Sequence, residues 1–365
     1  MIVSKVPEMS HTTEPNRSAV EWDGNRSSED GTEQPSALPS RRAGRAVVQF
    51  FRRLVDGNAG YDRLSHEQAA KIDWLRVTPF IAIHLACIAV IWVGFSWVAV
   101  GVAAFLYVTR MFIITAFYHR YFSHRSFKTS RVVQFIAAFM GCAAGQRSPL
   151  WWAAHHRHHH NHSDEDPDLH SPRLTGFLWS HTGWFLTRGN LKTDTTMVRD
   201  WTRFRELAWL DRFDWIPVVL LATAMYALGV WLEHAAPHLG TTGPQMLVWG
   251  FFISTVVLYH ATYTINSLAH RFGKRRYDTG DDSRNNLMLA ILTLGEGWHN
   301  NHHHYPVSAR QGFYWWEIDL TYYALKAMQA MGLVWDIRPV PAKVLGRNRI
   351  ADAAIEQSAQ GEQAR

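Results

Sequence analysis

Cysteine is nearly missing from this chain: 365 residues contain two, Cys87 and Cys142. They form no CxxC pair, so neither a disulfide framework nor a thiolate metal site is expected. A metal, if one binds, must draw its ligands mainly from histidine. No nucleic-acid-binding signature is present either. The formal net charge of +6 is better explained by basic residues flanking membrane spans, and nucleic acid is not an expected partner. The N-terminus lacks a charged start followed by an apolar core and a small-residue cleavage site, so no signal peptide is expected. Soluble repeats and a separate second domain are likewise missing.

Long hydrophobic runs, by contrast, fill the middle of the chain. Apolar residues make up 47% of it, and mean hydropathy is slightly negative because the polar ends dilute those runs. Residues 1–45 are rich in Ser, Glu, Pro, Gly and Arg. They cannot bury enough apolar surface to offset the entropy of ordering, and disorder is expected there. Residues 46–76 mix apolar and charged residues, as in VVQFFRRLV and AAKIDWLRV. They read as an amphipathic lead-in at the membrane surface, with a plain soluble lead-in as the competing reading. A bilayer core takes about 20 helical residues. Four segments reach that length, at about 78–96, 98–117, 215–234 and 246–265. The first two form a hairpin broken at Gly94. The run 132–145 is too short to cross and is expected to be an interfacial or buried helix. Arg110 falls near the cytoplasmic end of the second span, where it could snorkel or pair with a partner.

Charge orients these spans. The turn at Gly94 and the loop 235–245 hold no Lys or Arg, whereas 120–214 and 271–284 are rich in both. The asymmetry puts both termini and the long polar segments in the cytoplasm. The expected fold class is an all-α integral membrane protein, with four transmembrane helices and a cytoplasmic helical cap. One membrane domain, 77–339, precedes a polar tail, 340–365.

Histidine is plentiful, with 21 copies. Nine of them and one asparagine fall into four clusters: His119 and His124 in HRYFSH; His156, His159 and His160 in HRHHH; Asn266 and His270 in NSLAH; His299, His302 and His303 in HNNHH. Imidazole is a neutral ligand suited to transition metals. The HxxHH spacing puts three rings on one face of a helix, and it occurs twice. Asn266 and His270 would share a face at the end of the fourth span. His119 and His124 are five apart, which a straight α-helix does not align, so the helix is expected to loosen there. Four helical segments could aim these groups at one centre. Ten ligands exceed what one ion accepts, so a dinuclear site is the economical reading. Imidazole alone leaves Fe, Zn, Cu and Ni open. Asp164, Glu165, Asp166, Asp168 and Glu296 are cast as partners for the second ring nitrogen of the ligands. His155, His158, His162 and His304 are read as bystanders, His84 and His260 as packed or hydrogen-bonded within spans, and His181 as ambiguous.

With these residues in hand, the chain resembles the membrane-bound fatty acyl desaturases, specifically the Δ9-type acyl-CoA desaturase group, in a bacterial form. The resemblance covers roughly residues 75–335 and rests on an ordered set: HRYFSH, HHRHHH with SDEDPDLHSP, GFLWSHTGW, NSLAH and GEGWHNNHHHYP. It implies a centre of two Fe ions ligated by His119, His124, His156, His159, His160, His270, His299, His302 and His303, with Asn266 acting through a water. No catalytic residue beyond these ligands is implied. It further implies O2 as co-substrate and insertion of a cis double bond into a long-chain acyl thioester held in a narrow apolar tunnel. Trp151, Trp152, Trp179, Trp184 and Trp298 lie close to the boxes and could line that tunnel. Arg188 matches a basic head-group position. Ala154 and His155 stand where the animal members have an Arg-Asp pair that holds CoA, so CoA, acyl carrier protein and intact lipid all remain open as carriers. The chain lacks the signatures of a fused cytochrome-b-type domain and the cysteines of a fused rubredoxin or ferredoxin. A separate electron donor is therefore expected: a ferredoxin, a cytochrome-b-type protein or a reductase. The location implied is a membrane, the bacterial inner membrane, with the metal site on its cytoplasmic side. A related di-iron hydroxylase or ketolase, and more remotely a His-rich metal transporter, are the alternatives.

Overall fold

The computed structural model describes residues 39–350. Most of the stretch expected to be disordered (1–38) and the end of the polar tail (351–365) lie outside the described residues. A helix, Pro39–Val55, already covers the last residues of the former. It leads into a short helix, His66–Ala70, held at its start by a reciprocal capping box between Ser65 and Gln68.

Among the described residues, four helices are long and apolar enough to cross a membrane: Trp74–Val93, Trp97–Ser123, Trp215–Ala235 and Gly243–Ser267. They correspond to the four expected segments. The first pair is separated by Gly94, whose φ of +72° suits glycine and stops the helix. Ser96 then caps the second span by accepting from Ala99 N, and its hydroxyl meets that of Thr241 at 2.5 Å, tying the two far-side loops together. A capping box between Thr242 and Gln245 starts the fourth span.

The second and fourth spans are longer than hydropathy suggested. Past residue 113 the second helix widens into π-type winding over Ile114–Ser123, every residue of which is buried. Polar residues there end the hydropathic signal but not the helix. Arg110 consequently lies in mid-helix rather than near an end, and it does not snorkel. It is buried, and its guanidinium donates to Ser254 Oγ at 2.7 Å and Thr255 Oγ1 at 2.8 Å on the fourth span. A charge so placed needs such partners to be tolerated.

On the cap side, Ser130 caps helix Arg131–Cys142 and Ser148 caps helix Pro149–His162, which has proline in its first turn. Their apolar faces pack on the π-wound segment in a core containing Phe117, Tyr118, Phe122, Leu150, Leu207 and Leu210. Among the described residues one antiparallel pair of two-residue strands, Lys128–Thr129 and Val334–Trp335, departs from the all-α expectation and clips the C-terminal segment to the stretch that follows the second span.

Close packing yields a first prediction. A Cβ added at Gly141 would overlap the ring of Tyr118 on the second span. Gly141→Ala is expected to destabilise the fold by roughly 1–3 kcal/mol, read as a lower thermal midpoint in detergent. An unchanged midpoint would show that the contact is slack.

Candidate metal centre

The nine histidines singled out by spacing gather into two adjoining groups. One holds His119, His124, His156, His160 and His302; the other holds His159, His270, His299 and His303. In each group the facing nitrogens lie within 4.8 Å of one another. The two HxxHH helices divide in complementary fashion. Helix Pro149–His162 sends His156 and His160 to the first group and His159 to the second. Helix His299–His304 sends His299 and His303 to the second and His302 to the first.

Local backbone explains the spacings that looked irregular. His124 N donates to His119 O at 3.3 Å, an i to i+5 bond of the π-type winding common at functional sites. That winding brings residues five apart to one side. The fourth span does not carry His270 on its helix, contrary to expectation: the helix ends at Ser267, and Leu268 and Ala269 both donate to Thr264 O as the chain turns. His270 still reaches the second group from this turn, while Asn266 stays on the helix.

Facing Nε2 atoms stand 2.9 Å apart for His119 and His302, 2.9 Å for His302 and His160, 2.8 Å for His124 and His156, and 3.0 Å for His270 and His299. Four of the outer Nδ1 atoms are held by acids. His159 meets Asp168 at 3.0 Å, His270 meets Asp164 at 2.8 Å, His303 meets Asp281 at 2.6 Å, and His119 meets Glu296. An Nδ1–H donated to carboxylate leaves a bare lone pair on Nε2. His303 Nε2 is buried without a hydrogen-bond partner. Nδ1 of His299 and His302 is likewise buried without a partner, so the two groups hold more buried nitrogens than the protein's own hydrogen bonds satisfy. The donor set therefore fits bound metal.

Electrostatics agree with that fit. Burial, reinforced by neighbouring histidines, pushes His124, His156, His160, His299 and His302 well below their ordinary range, so each is neutral. Burial alone would raise the acids. Bonds to His270, His159 and His303 nevertheless hold Asp164, Asp168 and Asp281 below the usual carboxylate range. For Glu296 the opposing groups are His119 and Arg120.

Of the acids expected to act as partners, Asp164, Asp168 and Glu296 do so, while Glu165 and Asp166 are exposed. Asp281 was missed, because it lies in an irregular loop with no periodic relation to any box. Asn300 and Asn301 were missed too. Asn300 Oδ1 accepts from Arg276 N and Tyr277 N, both at 2.8 Å, and Asn301 bonds Glu317 and Gln311 O at 2.9 Å. Their position between box histidines was the available signal. Arg120 is fully buried between Glu296 (3.0 Å) and Asp319 (2.9 Å), fixing the acid that orients His119.

The bystanders bond elsewhere: His155 to Trp151 O, His158 to Pro167 O, His162 to His158 O and His304 to Val344 O. His84, His260 and His181 form a hydrogen-bonded file ending on Ser267.

A largely apolar cavity of about 480 Å³ opens beside the first group. Trp151, Trp152, Trp184, His156 and Asn266 line it. A smaller cavity of about 40 Å³ shares Trp152, His156 and Asn266 and continues to Met111, Ile114 and Thr293. Trp152 stacks on His156 with ring centroids 4.9 Å apart. Trp179 and Trp298 lie outside these walls, their indoles donating to Leu169 O and Ile318 O. Arg188 is not in the cavity wall either; its Nε lies 3.6 Å from Asp73.

Comparison with known proteins bears on this site. Residues 95–338 match the family model described as fatty acid desaturase. The chain is 37% identical over 271 residues to the sn-1 stearoyl-lipid 9-desaturase of Anabaena variabilis, covering 73% of this chain and 94% of that protein. It is 38% identical over 305 residues to the enzyme of the same name from Synechocystis sp., covering 81% and 90%. An acyl-CoA 5-desaturase of Anemone leveillei is 36% identical over 291 residues, covering 76% and 86%.

Two outcomes follow from the geometry. Asp281→Asn should weaken metal binding about 10–100-fold, and His159→Ala should lower the metal content of the purified protein, whereas His158→Ala should retain it; elemental analysis checks all three. Separately, the depressed histidines are neutral when folded but protonate near about pH 6.5 when unfolded. Stability of metal-free protein should thus be complete above that pH and fall as pH drops towards their folded values. Thermal midpoints at pH 7.5 and 5.5 test the sign.

Proposed function

The chain belongs to the fatty acid desaturase family, and on that premise we propose that it inserts a cis double bond at the Δ9 position of a long-chain acyl group, using O2 and two iron ions. One iron is held by His119, His124, His156, His160 and His302. The other is held by His159, His270, His299 and His303, with Asn266 completing the set through a water. The observation that carries this reading is the pairing of two all-imidazole groups with an apolar cavity that opens beside the first, and with a smaller one, sharing Trp152, His156 and Asn266, that reaches His159 and His299 of the second.

The reaction balances as follows. Two hydrogens leave adjacent methylenes, and with two electrons and two protons from outside they reduce O2 to two waters. Iron, when bound, supplies the oxidising power that side chains lack for an unactivated C–H bond. The chain supplies the rest. Glu296, Asp164, Asp168 and Asp281 keep a proton on each Nδ1 and stop the rings from turning. The cavity walls exclude water and hold one methylene pair beside the centre. Trp152, common to both cavities, and Trp184 in the larger are substrate contacts.

Relatives named for stearoyl-lipid and palmitoyl-lipid support position 9 and a lipid-borne acyl group. An acyl-CoA thioester is the second reading, supported by a relative named for it. Arg188 would serve the head group of either only after leaving Asp73. Electrons come from a separate donor protein docking on the basic cap. The Lys and Arg asymmetry supports a cap and termini on the cytoplasmic side, of the inner membrane in a bacterium.

Expression in a desaturase-deficient host with a suitable donor should yield Δ9 monounsaturated acyl chains, and a folded His159→Ala variant should yield none. A hydroxylated or keto product without a double bond would favour the hydroxylase or ketolase alternative. Trp152→Ala should scatter the double bond over neighbouring positions, seen by mass-spectrometric localisation, because the wall beside His156 is gone.

A further inference from the structure

Helix Leu287–Leu292 reads LMLAIL and contains no polar side chain. Leu289 and Ala290 are buried, whereas Leu287, Met288, Ile291 and Leu292 are exposed, Met288 at 76%. A contiguous apolar face of this kind calls for an apolar partner.

Its depth can be measured against the second span. The Tyr107 hydroxyl donates to Leu292 O at 2.6 Å. Tyr107 stands ten residues after Trp97, at the span end remote from the cap. At the helical rise that is about 15 Å, half of a hydrocarbon core about 30 Å thick. Helical side chains lean towards the N-terminus, here away from the cap, so the bond does not lift Leu292 towards water. Much of its backbone has protein partners, as hydrocarbon favours: Leu289 N donates to Asn286 Oδ1, Ala290 N to Asn286 O, Gly295 N to Ala290 O at 2.7 Å, and Leu292 O receives Tyr107. Further along the chain, Thr321 N donates to Leu294 O. Just before it, Trp315 and Trp316 are 81% and 53% exposed, as indoles at a membrane interface are.

We infer that helix Leu287–Leu292 is a fifth membrane element, a re-entrant helix whose outer face is covered by lipid acyl chains of the cap-side leaflet. The inference rests on the four long helices crossing the bilayer. Its lipid-facing surface is continuous with that of the second span through the Tyr107 bond. It also has a bearing on the site. Thr293, next along the chain, lines the smaller cavity with Met111 and Ile114. This helix thus forms part of the wall between the far end of the acyl path and the bilayer.

The test uses full-length protein in phosphatidylcholine nanodiscs, with Cys87 and Cys142 replaced by alanine. A nitroxide is attached at Met288→Cys, at Leu220→Cys on the exposed side of the third span and outside the large cavity, or at Lys326→Cys after the fourth span. Power saturation compares access of O2 with that of a water-soluble nickel chelate. The label at 288 should match the label at 220, with O2 favoured. A match to 326 would overturn the inference while leaving the four spans standing. An aqueous signature at both 288 and 220 would overturn the spans as well. Wild-type protein gives an independent reading: water-borne hydroxyl radicals should leave Met288 unmodified in nanodiscs, and its ready oxidation would refute the assignment.

Discussion

The arrangement depends on lone pairs turned towards one another. Buried imidazole nitrogens stand about 3 Å apart, nearly all of their hydration lost. Four of the nine rings, His119, His159, His270 and His303, are anchored on their outer nitrogen by an acid, and the inner space between the rings suits cations. Everything else in the cap follows from supplying anchors. Asp164 alone accepts from His270, Ser171 and the backbone of Asp282. Arg120, in turn, braces the acid behind His119 from beneath. Imidazoles inside and acids outside keep the strongly attractive interactions one layer away from the chemistry.

A membrane gives this centre its second property. The spans are apolar on their exposed side and meet one another through an apolar cluster of Ala99, Leu232 and Met246, yet they also carry paired polar groups between helices, as at Arg110 with Ser254 and Thr255. The long second and fourth helices rise beyond the apolar layer and bring His119 and Asn266 to the cap. Under the proposed reaction the acyl path would run beside the same long helices, and a hydrocarbon substrate would pass from one apolar medium to another.

Much of this was legible in the sequence, because the signals were local. Runs of apolar residues mark spans, and HxxHH marks a helix face. The nine histidines chosen by spacing are the nine that gather. What spacing did not reveal was their division. His159 parts from its neighbours His156 and His160 because it points across the groove to another helix, and only tertiary packing decides that. Asp281, Asn300 and Asn301 were hidden for the same reason: their partners are close in space and distant or aperiodic in sequence. The ends of the second and fourth spans were misjudged where polar box residues interrupt the hydropathy of a helix that continues. Arg188 matched a family position, but its partner, Asp73, lies in a segment that no motif marks.

The first group draws on residues as far apart as His119 and His302. Synthesis proceeds from the N-terminus, so all four spans have left the ribosome before the last box is made. Assembly of the centre is thus the closing event in the life of the nascent chain. The spans must find their neighbours through contacts such as that of Arg110 with Ser254 and Thr255 with no help from metal, and four of the histidines are oriented by their acids before any ion arrives. A cell short of the metal that this donor set fits would accumulate inserted protein with an empty centre rather than unfolded chain.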